Sequence, residues 1–126
     1  MGQKILIVDD EAHIRMLIEQ TLEELEDDGV EFLTAENGEI ALEIIQKEKP
    51  KLVFLDVMMP KMNGMEVCRR IKKELELKDI FIVLLTAKGQ ELDRQRGQEV
   101  GADVYMTKPF DPEIILSKAK EVMGIE

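Results

Sequence analysis

The chain has 126 residues, 44% of them hydrophobic, which is enough apolar material for one sizeable core and too little length for two ordinary domains. Asp and Glu number 27 against 17 Lys and Arg, a formal net charge of -10, so the surface should repel nucleic acid and anionic membranes. The lone cysteine, Cys68, rules out an internal disulfide, and no apolar run reaches membrane-spanning length, so a cytoplasmic protein is expected.

Five short apolar runs alternate with helical patterns. Lys4 to Val8 (KILIV) is the first strand and leads into Asp9 and Asp10. A helix follows, with Ile14, Leu17, Ile18, Leu22 and Leu25 spaced three and four apart as its core-facing stripe, ending near Asp27, Asp28 and Gly29. Val30 to Ala35 (VEFLTA) is the second strand. The second helix, from about Gly38 to Lys49, turns Ile40, Ala41, Ile44 and Ile45 inward and is stopped by Pro50. Leu52 to Leu55 (LVFL) reads as a strand buried on both faces, and it delivers Asp56. The third helix, roughly Met65 to Leu75, buries Val67, Cys68 and Ile71, while Arg69, Arg70, Lys72 and Lys73 read as its solvated face. Ile80 to Leu85 (IFIVLL) is the fourth strand, followed by Thr86. A fourth helix over Glu91 to Val100 is weakly patterned, carries Gly97, and should be loosely held. Ala102 to Met106 (ADVYM) is the fifth strand and leads to Lys108-Pro109. Pro112 opens the last helix, which runs to Met123 before Gly124.

Strands separated by helices imply an α/β domain with a mostly parallel sheet covered on both faces. In such sheets chemistry gathers beyond the carboxyl ends of the strands, and Asp9, Asp10, Asp56, Thr86 and Lys108 all fall on that edge. Three carboxylates meeting there would repel one another unless a cation lay between them, and hard oxygen donors suit Mg²⁺. A hydroxyl and an ammonium opposite them suit a phosphoryl group, for which Asp56 is the one nucleophile in place.

Taken jointly, ILIVDDE, LVFLDVMMPKMNG, VLLTAK and DVYMTKPF resemble the receiver domain of two-component response regulators, over essentially residues 3 to 123. The resemblance implies a (βα)5 flavodoxin-like fold, a doubly wound parallel five-stranded sheet in the order 2-1-3-4-5, with residues 1-126 forming a single domain. It implies that Asp56 accepts phosphate from a histidine kinase or phosphotransfer protein. Asp10, Asp56 and the Met58 backbone carbonyl would bind Mg²⁺ directly, with Asp9 acting mainly through a water. Thr86 would hydrogen-bond the phosphoryl group, Lys108 would pair with it, Tyr105 would swing inward behind Thr86, and the Lys108-Pro109 peptide would be cis. Such a domain is a phosphoacceptor switch and not a turnover enzyme. It remodels the face of the fourth helix, fifth strand and fifth helix, as a monomer or a phosphorylation-dependent dimer, to bind a downstream protein. Ile14, Met16, Pro109 and Phe110 are the implied contacts with the kinase. Met58 and Lys88 flank the path of the hydrolytic water by the same resemblance, and neither can serve as its base, so autodephosphorylation should be slow.

Plainer readings stand beside these. Asp9 and Asp10 alone would be a helix N-cap, Tyr105 could be core packing, His13 a solvated helix residue and Cys68 a small core hydrophobe. Two other functions compete as well. One is the receiver fragment of a longer regulator whose output domain binds DNA or makes a signalling nucleotide. The other is a Mg²⁺-dependent phosphatase with an Asp nucleophile, of the haloacid dehalogenase-like kind, although those enzymes place a second acid where this chain has Met58.

Overall fold

The computed structural model describes residues 3–87 and 98–125. Five parallel strands, β1 (Lys4–Val8), β2 (Glu31–Ala35), β3 (Leu52–Asp56), β4 (Phe81–Ala87) and β5 (Val104–Lys108), form one sheet in the order β2-β1-β3-β4-β5. Helices α1 (Ala12–Thr21), α2 (Gly38–Glu48), α3 (Gly64–Arg69) and the C-terminal helix (Pro112–Met123) connect and cover it. This is the doubly wound order and layering the resemblance implies. Among the described residues, no helix is long and apolar enough to cross a membrane.

Successive strand side chains point to opposite faces, so each strand feeds two cores. Leu6, Val8, Val53, Leu55 and Leu84 pack with Ala41, Ile45, Val67 and Cys68 under α2 and α3. Ile5, Ile7, Phe54, Val83 and Leu85 pack with Ile18, Leu22, Ile115 and Ala119 under α1 and the C-terminal helix. β3 is buried at every position, as its unbroken apolar run requires. Each of these large side chains contributes about 1.5–3 kcal/mol on burial, so the central strands form the rigid floor of the site.

Several expectations are corrected. The first helix ends at Thr21, and Glu23–Asp28 continue as a tighter 3-10 segment closed by Gly29 at φ +84°. Five acids would otherwise sit at the negative end of a helix dipole. Leu17 leaves the stripe and is 44% exposed, because the face along Ile18 and Leu22 is the one turned to the sheet. In α2, Leu42 is buried while Ile40 and Ile44 are only half-buried.

Lys72 does not belong to a solvated face. The turn after α3 widens, with the Leu75 N–H donating to the Arg70 carbonyl at 2.8 Å, and this turns both Ile71 and Lys72 inward. The Lys72 ammonium donates to the Ile80 carbonyl at 2.6 Å and pairs with Asp103 at 3.0 Å. Asp103 also accepts the Ile82 N–H at 2.8 Å, so it belongs to a turn and not to a strand. The fifth strand accordingly begins at Val104 and reaches Lys108 as its last residue, two positions later than its sequence pattern suggests. Of the expected fourth helix, residues 98–100 are helical; its remainder and Lys88 lie outside the described residues.

Candidate functional site

β1 lies between β2 and β3, so the chain leaves the ends of β1 and β3 toward opposite faces and opens a crevice between them. Strand parity then decides which side chains meet there. Ile5 and Ile7, Leu52 and Phe54, and Val104 and Met106 share the face under α1 and the C-terminal helix. Two residues further along each strand, the same parity delivers Asp9, Asp56 and Lys108 to one point.

The Lys108 ammonium donates to Asp9 Oδ2 at 2.8 Å and to Asp56 Oδ1 at 3.1 Å. The Asp9 side chain is fully buried, that of Asp56 is 7% exposed, and that of Lys108 is 21% exposed. Asp9 is fixed from both sides, because its Oδ1 accepts the Glu11 N–H at 2.9 Å and its backbone carbonyl accepts Arg15 Nη1 at 2.6 Å. Asp10 is exposed at the mouth, and the carboxylate oxygens of Asp9, Asp10 and Glu11 lie within 4.8 Å of one another. No sequence pattern singles out Arg15, which reads there as one polar residue on an amphipathic helix.

Burial, and then the negative charge of Asp9, push the Asp56 carboxyl up to about 6, against the partial relief of Lys108. Burial pulls the Lys108 ammonium down, yet its bonds to Asp9 and Asp56 hold it above its ordinary value. Among the described residues Lys108 is the ammonium bonded to Asp9 and Asp56, with the Asp10 carboxylate at the mouth beside them, and a divalent cation would remove the excess negative charge. The donors are all hard oxygens, which fit Mg²⁺ and not a soft metal.

Thr86 falls on the other face of the sheet, in phase with Ile82 and Leu84, and is buried. Tyr105 shares that face, pairs in register with Leu84, and is half-buried against the same core. The sheet edge thus brings Asp9, Asp56 and Lys108 into contact and sets Thr86 and Tyr105 beside them on the opposite side. Lys108-Pro109 is cis. Of the docking candidates, Met16 and Pro109 are exposed, whereas Ile14 and Phe110 are half-buried against the core under the C-terminal helix. Met58, two residues past Asp56, exposes 65% of its surface.

The comparisons with known proteins agree with this fold. The probable transcriptional regulator ycf27 of Porphyra purpurea is 48% identical over 96% of this chain and 47% of its own length. The alkaline phosphatase synthesis transcriptional regulatory protein PhoP of Bacillus subtilis is 44% identical over 98% of this chain and 49% of its own. The chain spans about half the length of the curated relatives it matches. Among solved structures, the BeF3-activated DrrB receiver domain superposes with a TM-score of 0.84 at 35% identity, covering 98% of this chain and 99% of that one. Chemotaxis protein CheY4 of Vibrio cholerae superposes with a TM-score of 0.82 at 34% identity, covering 97% of this chain and 99% of that one. The family model described as the response regulator receiver domain matches residues 5–120, and the chain belongs to that family.

Proposed function

We propose that this receiver takes a phosphoryl group on Asp56 from a histidine kinase or phosphotransfer protein, with Mg²⁺, and thereby changes which protein it binds. The observation that carries the proposal is the convergence of Asp9, Asp56 and Lys108, 99 residues apart at the extremes, on one ammonium at the end of a buried strand.

At neutral pH Asp56 is mostly ionised, since its carboxyl sits at about 6. A carboxylate oxygen attacks the phosphorus of a phosphohistidine or of acetyl phosphate. The new P–O bond forms as the bond to the imidazole nitrogen or the acetate oxygen breaks, leaving an acyl phosphate. Lys108, already 3.1 Å from Asp56, turns from the carboxylate to a phosphoryl oxygen, so that the developing charge meets a preorganised cation. Bound Mg²⁺, held by Asp10, Asp56 and the Met58 carbonyl, with Asp9 acting through water, would neutralise phosphoryl charge. The engagement of both Asp9 oxygens by Glu11 and Lys108 supports its indirect role. Thr86 hydrogen-bonds the new group from the opposite side, Tyr105 follows it inward, and the surface around the fourth helix, β5 and the C-terminal helix is remodelled. BeF3, which takes the tetrahedral shape of a phosphoryl group when a fourth donor oxygen completes its coordination, activates the similar DrrB receiver, which supports a switch of this kind.

The domain is a switch and not a turnover enzyme, because Met58 offers no acid or base for a hydrolytic cycle. Residues 1–126 work as one such unit in the cytoplasm, as a monomer or a phosphorylation-dependent dimer. A second reading places the same receiver within a longer regulator that binds DNA through another domain. It is favoured by the transcriptional regulators, about twice as long, that the chain resembles, and the length of the natural reading frame separates the two.

The test is intact-protein mass after incubation with acetyl phosphate and Mg²⁺. One added phosphoryl group is expected, absent from Asp56→Asn and from a chelated sample. No adduct on the folded wild-type protein overturns the proposal.

A further inference from the structure

Gly38 and Gly64 are the first residues of α2 and α3, a place where glycine has no intrinsic advantage. Three other glycines, Gly29, Gly101 and Gly124, sit at positive φ and are explained by backbone conformation; Gly38 and Gly64 do not. What they share is lack of room. A Cβ on Gly38 would lie 2.1 Å from the Met62 carbonyl oxygen and 2.8 Å from its carbon. A Cβ on Gly64 would lie 2.3 Å from the Asp56 carbonyl oxygen and 3.0 Å from Val57 Cα. In both cases the obstacle is backbone, which cannot swing aside as a side chain can.

Both contacts fall on one segment, Asp56 to Asn63, which runs from the phosphoacceptor to α3 and contains Met58. Val57 is tied down on both sides, its N–H donating to the Leu85 carbonyl at 2.9 Å and its carbonyl accepting the Gly64 N–H at 2.9 Å. The far end of the segment makes a three-residue turn, with the Met62 N–H donating to the Pro60 carbonyl at 2.8 Å and Lys61 at φ +70°. A lysine persists in that conformation only where its surroundings over-determine it. The α2 side of the grip is itself rigid. Buried Asn37 accepts the Ile40 N–H at 2.9 Å, and Ala41 and Ile45 are fully buried one and two turns later.

We infer that Gly38 and Gly64 are positioning residues of the phosphoacceptor site: they let α2 and α3 close on the backbone of the Asp56–Asn63 segment from two sides, and so fix the Met58 carbonyl relative to Asp56. The inference rests on the proposed Mg²⁺-assisted phosphorylation of Asp56 and names the part of the chain that holds one ligand in place. A methyl at position 38 must displace the loop, since α2 is anchored in the core.

The experiment is a Mg²⁺ titration of melting temperature, in parallel with acetyl phosphate labelling, on wild type, Gly38→Ala, Gly64→Ala and Gly29→Ala. Gly29 is at φ +84° with nothing within 4 Å of its added Cβ, so its variant lowers stability without touching the loop. Gly38→Ala and Gly64→Ala are expected to raise the half-saturating Mg²⁺ concentration about tenfold or more, the scale seen when the support of a metal ligand is lost. Gly29→Ala is expected to melt earlier with the half-saturation unchanged. Equal half-saturation in all four proteins overturns the inference. Wild type that shows no Mg²⁺ response or labelling overturns the proposed function itself, a different result. A measurement on the unaltered protein decides if the alanine variants do not fold. The Lys61 and Met62 amides should have order parameters near about 0.85, and values below about 0.6 would show a loop that nothing grips.

Discussion

Replacing Asp56 with Asn should stabilise the protein at neutral pH, and the gain should vanish in acid. The Asp56 side chain is 7% exposed, shares its surroundings with fully buried Asp9, and has its carboxyl raised from 3.8 to about 6, first by burial and then by Asp9. A folded state that holds its proton more tightly than the unfolded chain loses stability as pH rises between those two values. Below about pH 4 Asp56 is protonated in the folded protein and costs little. Through pH 4 to 6 the unfolded chain releases the proton first, and above about pH 7 the penalty is constant. A rise from 3.8 to about 6 corresponds to about 3 kcal/mol, an upper limit because Lys108 adjusts to the new partner. Asn has the shape of the protonated acid without its titration, so Asp56→Asn should exceed wild type by about 0 kcal/mol near pH 4, rising to at most about 3 kcal/mol at pH 7.5. Urea denaturation of both proteins at steps between pH 4 and 8, in chelator, measures that difference. Mg²⁺ should then restore wild type alone, by about 2.7 kcal/mol at a hundredfold excess over its dissociation constant. A difference that does not change with pH, or an Asn variant less stable at pH 7.5, would refute a site dominated by burial and carboxylate repulsion.

Three other perturbations follow from the same contacts. Lys108→Met removes the ammonium shared by Asp9 and Asp56 and should cost about 3–5 kcal/mol in urea unfolding, the range for orphaning buried charges; a loss below about 1 kcal/mol would mean that the carboxylates need no cation. Lys72→Met removes the donor to the Ile80 carbonyl and the partner of Asp103, and should cost about 1–3 kcal/mol. Combined with Asp103→Asn it should show a coupling of about 1 kcal/mol or more, whereas strict additivity would mean the pair carries no energy of its own. Met58→Asn places a polar amide at the mouth of the site and should shorten the lifetime of the phosphorylated protein, followed by loss of the added mass with time; an unchanged lifetime would remove Met58 from the water path.

Much of the architecture was legible because it depends on local pattern. Apolar runs such as LVFL in residues 52–55, bounded by Pro50 and Asp56, read as strands buried on both faces, and Pro50, Pro112 and Gly124 mark helix limits through their own backbone chemistry. Asp9, Asp56, Thr86 and Lys108 stood out because each polar side chain interrupts or ends an apolar run. What local pattern could not supply was the width of the turn after α3, which is set by packing and buries Lys72. The fifth strand begins late for a related reason: Asp103 is held by Lys72 and the Ile82 N–H, partners remote in sequence.

The order of residues by itself determined the alternation of strands and helices, the sheet edge on which the polar residues collect, and the carboxylate, Asp56, on which the proposed phosphorylation falls. The tertiary structure alone decided that Lys108 bonds both Asp9 and Asp56 while Thr86 stands on the other side of the sheet. It alone decided, too, that Gly38 and Gly64 close on the acceptor loop. Propensity and periodicity act over a few residues, whereas strand order, face parity and the closeness of two backbones become defined only when segments up to 99 residues apart are packed together.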